Sequence, residues 1–236
     1  MLFEQFDMPL LKFLNGFIGL SDHFDQFAYT VSNYDLFKGV PMLALLWLAW
    51  FSRKKDELPQ RQDERRSRLL LVFAGSVATV VLSRILQLVL HVHQRPIQSD
   101  LGLKFTHFID PGAYNSWNSF PSDHSMLFFA LATGLWQVNR LIGGAAFFWA
   151  AFVIDLPRIY LGIHFPSDVV VGTTLGVLCM LGFVRLPLLR AGSDRLWAWG
   201  KRHEALFYSA AFVVTEQIAT LCDDLRHIAS ALFKNH

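Results

Sequence analysis

Residues 69–92 read LLLVFAGSVATVVLSRILQLVLHV, twenty-four positions with one charge, Arg84, and no proline. A helix needs about 20 mostly apolar residues to cross the hydrocarbon of a bilayer, so this stretch is read as a membrane span. The residues ahead of it are of the opposite kind: Arg53, Lys54, Lys55, Arg61, Arg65, Arg66 and Arg68. A basic loop joined to an apolar span fixes orientation, because loops rich in Lys and Arg stay on the cytoplasmic side. No aromatic residues are interleaved with these cations, so the run reads as a solvated, topology-setting linker rather than a nucleic-acid surface.

Working outward, further spans are expected at about Asp35–Phe51, His124–Val138 (short), Leu141–Ile163 and Asp168–Leu186. A sixth, at about Ala205–Leu221, is interrupted by Glu216 and Gln217. The other basic loops hold Arg140, and Arg190, Arg195, Lys201 and Arg202 with Arg185 at their edge. An even number of spans separates these loops from residues 53–68, so all three are expected on the cytoplasmic side. The sparsely basic side then holds the loop from about His93 to Asp123, the turn at His164–Asp168 and both termini. Composition agrees with a membrane protein: 53% of the 236 residues are hydrophobic and 17% charged, with a net charge of +2. The expected architecture is therefore an all-α integral membrane bundle of about six transmembrane helices spanning 35–221. An interfacial amphipathic segment, 1–34, precedes it, its apolar residues broken by Lys12, Asp22, His23 and Asp25. A polar tail, 222–236, follows. Met1–Phe13 lacks a signal peptide's basic head and cleavage site, so insertion is expected to rely on the spans themselves. Cys179 and Cys222 have no metal-ligand spacing and suggest no disulfide framework.

Smaller signals describe packing. The tryptophans Trp47, Trp50, Trp117, Trp136, Trp197 and Trp199 fall near span ends, as an aromatic belt would, and Trp149 lies mid-span. Gly143-Gly144, Gly172 and Gly176 suit close helix contact. His91 and His93 alternate along one helix and point apart, which argues against a metal pair; His107 reads as an ordinary loop histidine. The tetrapeptide Phe-Pro-Ser-Asp occurs twice, at 120–123 and 165–168, each time at the start of an apolar helix. Proline in a first turn with Ser or Asp near the cap is ordinary helix-start chemistry.

Three polar clusters fall at one level on the sparsely basic side. Arg95-Pro96 follows the span at 69–92, Pro121-Ser122-Asp123-His124 opens the next, and Arg158, His164 and Asp168 bracket the turn between two more. Charged groups near or within spans usually face a protein interior or an aqueous cavity, so convergence at one depth points to a site. Two arginines can hold a tetrahedral oxyanion through forked hydrogen bonds. Ser122 and the first N–H groups of its helix add donors, and the helix dipole favours an anion there. Of two histidines, one can attack phosphorus and the other protonate the leaving oxygen. Asp168, four residues after His164, can hold one ring nitrogen so that the other carries the attacking lone pair. No metal or other cofactor is needed for this chemistry, because the arginines and a helix end can balance the charge.

These residues resemble the type-2 phosphatidic acid phosphatase superfamily of membrane lipid phosphatases, whose motifs are Lys-x6-Arg-Pro, Pro-Ser-Gly-His and Ser-Arg-x5-His-x3-Asp. Arg95-Pro96 matches the end of the first, Pro121-Ser122-Asp123-His124 the second except at Asp123, and Arg158, His164 and Asp168 the third, with Pro157 in place of Ser. The resemblance covers about Leu69–Leu186. It implies that His164 becomes phosphorylated, that His124 is the general acid, and that Asp168 orients His164. It also implies that Arg95, Ser122 and Arg158 bind phosphate. Leu88 stands where the family has its Lys; Arg84, one turn earlier, and Lys104 are the candidates to replace it. Asp for Gly at 123 resembles the subgroup that hydrolyses undecaprenyl diphosphate. Asp123 lines the phosphate site in this reading, which requires it to be protonated or paired with Arg95 or Arg158. The implied partner is a membrane lipid substrate, the implied location the inner membrane with the site facing the periplasm or exterior. The same residues also allow a lipid-linked phosphotransferase, or a non-catalytic lipid-carrier binding or transport protein. A vanadate-dependent haloperoxidase shares the residue types, but those relatives are soluble.

Overall fold

The computed structural model describes residues 4–52, 57–90, 92, 94–110 and 118–221. Ten α-helices make up the described structure, with no strand among the described residues: α1 (Glu4–Asn15), α2 (Asp22–Asn33), α3 (Asp35–Phe51), α4 (Pro59–Val89), α5 (Asp123–Val138), α6 (Arg140–Trp149), α7 (Leu156–Tyr160), α8 (Pro166–Phe183), α9 (Pro187–Gly200) and α10 (Glu204–Ala219). A π-helical segment, Ala150–Asp155, joins α6 to α7 into one continuous rod, and a short 3-10 turn, Pro96–Gln98, follows α4.

Three helical units are long and apolar enough to cross a membrane: α4, the rod from Arg140 to Tyr160, and α8. The pair α2 and α3, bent by 56° at its break, makes a fourth if counted as one span. Six were expected. At 16 residues each, α5 and α10 rise only about 24 Å, short of the roughly 30 Å hydrocarbon core. For α5 the reason is its place. It is the central helix, packed on α4, α6 and α8 and buried on every side from Asp123 to Leu135, and a helix apolar all round belongs inside a bundle. Phe128, Leu127, Leu131 and Leu135 of α5 meet Leu69 and Val72 of α4 and Met180 of α8 in one core.

Close packing here depends on glycines, as expected for Gly172 and Gly176. A Cβ at Gly172 would lie 2.6 Å from the Ser122 carbonyl oxygen, and one at Gly176 would lie 2.2 Å from that of Met126. No other residue lets α8 approach the α5 backbone so closely, and this approach sets the two motif-bearing helix starts side by side. Gly143 plays the same part in the α5–α6 hairpin, where a Cβ would lie 2.2 Å from the Trp136 Cα.

The expected basic loops do gather at one end. Ser52, Glu57, Arg65, Arg68, Asn139 and Arg140 line one cavity there. Arg66 packs its guanidinium over the Trp50 and Trp197 rings, 5.7 and 5.0 Å from their centroids. Asp63 accepts from Trp197 Nε1 at 2.8 Å and Lys201 Nζ at 2.6 Å. Within this end α9 is a helix where the sequence suggested a loop. Its buried side is Ser193, Trp197 and Gly200, a spacing of four and three that fits a helix face.

The N-terminal segment is two 12-residue helices rather than one. Gly19, at φ +82°, breaks the chain between them, and Ser21 caps α2 by accepting from the Phe24 N–H. Both pack on the bundle, α1 against α7 and α8 and α2 against α3 and α7. Phe6, Leu10, Phe13, Phe17, Phe24 and Phe27 stay exposed on the outer side. The tail 222–236, Arg53, Lys54 and Lys55 of the first basic loop, His91, His93 and Trp117 lie outside the described residues.

Candidate active site

At the end opposite the basic loops, the helix starts of α5 and α8 are tied together. Ser122 N–H donates to the Asp168 carbonyl, 3.1 Å. The twice-used tetrapeptide is thus two adjoining helix starts, and one histidine–carboxylate pair stands at each.

The first pair is His164 and Asp168. His164 is fully buried in the turn between α7 and α8. Its Nδ1 lies 3.4 Å from Asp168 Oδ2, and its Nε2 lies 3.2 Å from Arg95 Nη1. A guanidinium can only donate, so Nε2 carries the lone pair and the proton sits on Nδ1, facing the carboxylate. Asp168 Oδ2 is itself pinned by the Phe165 N–H at 2.9 Å. Burial first, and then the Arg95 charge, lower the His164 pKa to about 4, so the ring is neutral at physiological pH. Arg95 also donates from Nη1 to the Ile163 carbonyl at 3.1 Å, while Ile97 N–H donates to the Gly162 carbonyl at 2.8 Å. These bonds fasten the 3-10 turn after α4 to the His164 turn. Gly162, at φ +71°, supplies the left-handed residue this turn needs.

The second pair is His124 and Asp123, on the first turn of α5. Asp123 Oδ1 accepts from His124 Nδ1 at 2.8 Å, and Asp123 Oδ2 pairs with Arg84 Nη2 at 2.9 Å. His124 Nε2 is buried and has no hydrogen-bond partner among the described residues. Asp123 was expected beside the phosphate, tolerated through Arg95 or Arg158. Its partner is instead Arg84 of α4, so its charge is already matched and turned toward that helix and His124. Leu88, at the family's Lys position, is 75% exposed on the outer surface. Lys104 lies away from this cluster, its N–H donating to Asn15 Oδ1 at 2.8 Å.

Arg158 precedes the His164 turn, where its carbonyl accepts from the Ile163 N–H at 2.9 Å. It is buried in α7 and donates from Nη1 to the Ser32 carbonyl at 3.3 Å, while its Nε has no partner among the described residues. Its charge acts on both His124 and His164. Ser122 is fully buried, with its Oγ accepting the Ser125 N–H at 3.4 Å. Thus Arg95, Arg158, His164 and Asp168 on one side, and Ser122, Asp123 and His124 on the other, occupy one end of the bundle. Among the described residues, no three His, Cys, Asp or Glu side chains are grouped to hold a metal ion. His107 stacks on Phe108, centroids 3.9 Å apart.

The sequence did not show the supporting layer. Asp7 of α1 is buried and accepts from Ser167 N–H at 2.7 Å and Ser167 Oγ at 2.8 Å, capping α8 from 160 residues away. Tyr160 donates its hydroxyl to Asp25 of α2. Lys38 of α3 and Asp155 of the π-helical segment are buried charges as well. The one signal available for them was a charge inside an otherwise apolar helix.

Residues 90–190 match the family model described as the PAP2 superfamily. The chain is 28% identical over 188 residues to the bacitracin transport permease protein BcrC of Bacillus licheniformis, covering 77% of this chain and 80% of the relative. It is 28% identical over 175 residues to YbjG of Escherichia coli (strain K12), provisionally described as an undecaprenyl-diphosphatase, covering 74% and 79%. It is similar to the crystal structure of Aquifex aeolicus LpxE, with a TM-score of 0.51 at 26% identity over 76% of this chain and 95% of that one. The matched segment contains both histidines, both arginines and both carboxylates of the cluster described above, and it is there that the chain is similar to the PAP2 superfamily.

Proposed function

We propose that the protein is a membrane lipid phosphatase acting on a lipid diphosphate, with undecaprenyl diphosphate as the best candidate, through a phosphohistidine at His164. The observation that carries this reading is the His164 ring itself: neutral, buried, with Nδ1 on Asp168 and the Nε2 lone pair turned to Arg95. YbjG's described substrate supports the lipid.

In this mechanism Arg95 and Arg158 hold the terminal phosphate, with Ser122 and the first turn of α5 adding donors. His164 Nε2 forms a bond to phosphorus, and the bond from phosphorus to the bridging oxygen breaks. The electron pair stays on that oxygen, which takes a proton from His124 Nε2. Burial and the Arg158 charge hold the His124 pKa well below its ordinary value; Asp123 on Nδ1, together with the negative charge of a bound phosphate, favours the protonated ring that this step needs. Water then attacks phosphorus, its proton returns to His124, and the N–P bond breaks to release inorganic phosphate. Asp168 stabilises the charge that develops on the His164 ring. The basic loops lie at the opposite end, which by the positive-inside rule supports a site at the outer face of the inner membrane.

The test is phosphate release by detergent-purified protein, without added divalent metal, on polyprenyl diphosphate, polyprenyl phosphate, phosphatidic acid and phosphatidylglycerol phosphate. Release is expected first from the polyprenyl diphosphate and not from His164→Ala. Turnover retained by a folded His164→Ala protein refutes the mechanism.

A second reading is transfer of the phosphohistidine's phosphate to a lipid acceptor. One observation favours it: the chain is 25% identical over 169 residues to the lipid A 1-diphosphate synthase of Escherichia coli (strain K12). More phosphorylated acceptor than free phosphate in the same assay would select it.

A further inference from the structure

The end of the bundle opposite the catalytic cluster holds a cavity of about 390 Å³ that the mechanism does not use. Its size falls in the range of ligand pockets, roughly 300–1,000 Å³. Three guanidinium groups line it, from Arg65 and Arg68 of α4 and from Arg140, the first residue of α6. Glu57 is the carboxylate among the described lining residues. Both of its oxygens are taken by Arg65 Nη1, at 2.9 and 2.8 Å. Arg65 keeps Nε and Nη2 buried and without a partner among the described residues. Arg68 and Arg140 have no ion-pair partner there either. Glu64 and Asp194 stand in a neighbouring cavity that Arg68 and Arg190 also line. Over the two cavities four guanidinium groups face three carboxylates, and the surplus lies on the Arg140 side.

The position of Arg140 is costly in itself. A cation at a helix start opposes the helix dipole. The first turn of α6 has no acidic residue to offset it, and Asn139 Oδ1 already accepts from the Leu141 and Ile142 N–H groups. Topology requires basic residues in these loops, but it does not require them to converge on one cavity. A bound anion accounts for the convergence.

The surroundings of the arginines decide which anion. α4 and the rod are two of the units long and apolar enough to cross a membrane. Arg68 and Arg140 each stand just before the apolar run of their unit, the level at which lipid headgroups lie. Ala49 and Val138 give the lining an apolar part. Phe51, Leu58 and Leu141, chain neighbours of lining residues, are exposed. A phosphate carrying acyl chains matches both the charged and the apolar features, whereas a free anion matches the charged ones alone. With Glu57 spent on Arg65, no carboxylate among the described lining residues is left for the ammonium of a zwitterionic headgroup.

We propose that this cavity binds the phosphate of an anionic phospholipid, held by Arg68 and Arg140 with Arg65 as a third donor. Basic pockets between membrane helices recognise anionic headgroups in this way. The site is separate from the catalytic cluster and does not rest on the reading of His164.

The experiment is native mass spectrometry of the full chain in detergent, titrated with phosphatidylglycerol and with phosphatidylcholine of the same acyl chains. Wild type should bind phosphatidylglycerol about tenfold more tightly, the worth of one charge-assisted contact. Arg68→Gln and Arg140→Gln together should remove that preference, and each alone should reduce it. Equal binding of the two lipids, or a preference that survives the double substitution, overturns the proposal. Glycerol phosphate is the free-anion arm: if it displaces phosphatidylglycerol at comparable concentration, the site takes an anion without its lipid and the proposal is overturned as well. Both arginines are exposed, so the variants should fold. Should they not, the wild-type ranking of the three ligands decides. His164→Ala should keep the preference, so failure of the catalytic reading and failure of this one are told apart.

Discussion

The two histidine–carboxylate pairs use the same groups and differ in what holds them. His164 is fixed at both ring nitrogens, by Asp168 and by Arg95, and its carboxylate is pinned in turn by a backbone N–H. Among the described residues His124 is fixed at Nδ1 alone, by the residue next to it in the chain, and its Nε2 has no partner. A nucleophile needs one lone pair aimed in one direction, whereas an acid needs a nitrogen that gives a proton up and takes it back. In the proposed mechanism the contrast teaches that role is set by the second nitrogen's surroundings, since the carboxylate partner is common to both.

The largest effect should separate the rings by substrate. His164→Ala is expected to lower turnover by at least about 10⁴-fold on every substrate and to abolish the phosphoenzyme. His124→Ala should cost about 10²- to 10⁴-fold on lipid substrates. It should regain most of its phosphoenzyme formation rate on an ester with an activated phenolate leaving group, which needs no proton. Rapid-quench measurement of the phosphoenzyme checks both, and equal rescue of the two variants breaks the distinction.

Asp168→Asn should lower kcat by about 100-fold, because an amide can donate to Nδ1 and draw the lone pair away from Nε2. Asp123→Asn is expected to be milder, about tenfold, and to shift the alkaline limb of the pH–rate profile downward, since a neutral partner no longer favours the protonated His124 ring. Steady-state profiles of both variants measure the difference; a loss at Asp123 exceeding that at Asp168 would invert the comparison.

On the acid side, kcat/KM should hold until His164 takes up a proton near pH 4 and then fall about tenfold per unit. Stability follows the same group. Its folded pKa of about 4 lies below the ordinary 6.5, so the unfolded chain binds the proton first. The stabilisation from a neutral His164 is therefore complete above about pH 6.5 and is lost as pH falls toward 4. Thermal melts in detergent across this window check the sign.

The smallest effect lies in the supporting layer. Asp7→Ala removes the cap that α1 places on α8 and should cost about 1–2 kcal/mol of stability, with kcat lowered only a few fold. Melting temperature together with activity distinguishes this from damage to the histidines.

What the sequence made legible follows from distance along the chain. The helix starts at Asp123 and Pro166 could be read because Pro, Ser and Asp stand within a few residues of the apolar runs they begin. His164 and Asp168, four residues apart, could be paired for the same reason. Arg84 was recognised as a spare cation, yet its partner Asp123 was assigned to Arg95 or Arg158, because the packing of α4 on α5 decides which arginine arrives first. Asp7 on Ser167 and Arg158 on Ser32 join positions more than 120 residues apart, and nothing local announces either. The α9 helix was missed because Arg190, Asp194 and Arg195 made the segment look like a loop, although Trp197 gave its inward side away.

The π-helical segment Ala150–Asp155 gives the rod a place to absorb a change in length. Such a segment holds one residue more than an ordinary helical path between the same two ends. Deleting one of its six residues would therefore let the rod wind as a plain α-helix between those ends, and Arg158 would keep its register. The spare residue makes this stretch the part of the rod where a deletion disturbs the downstream helix least.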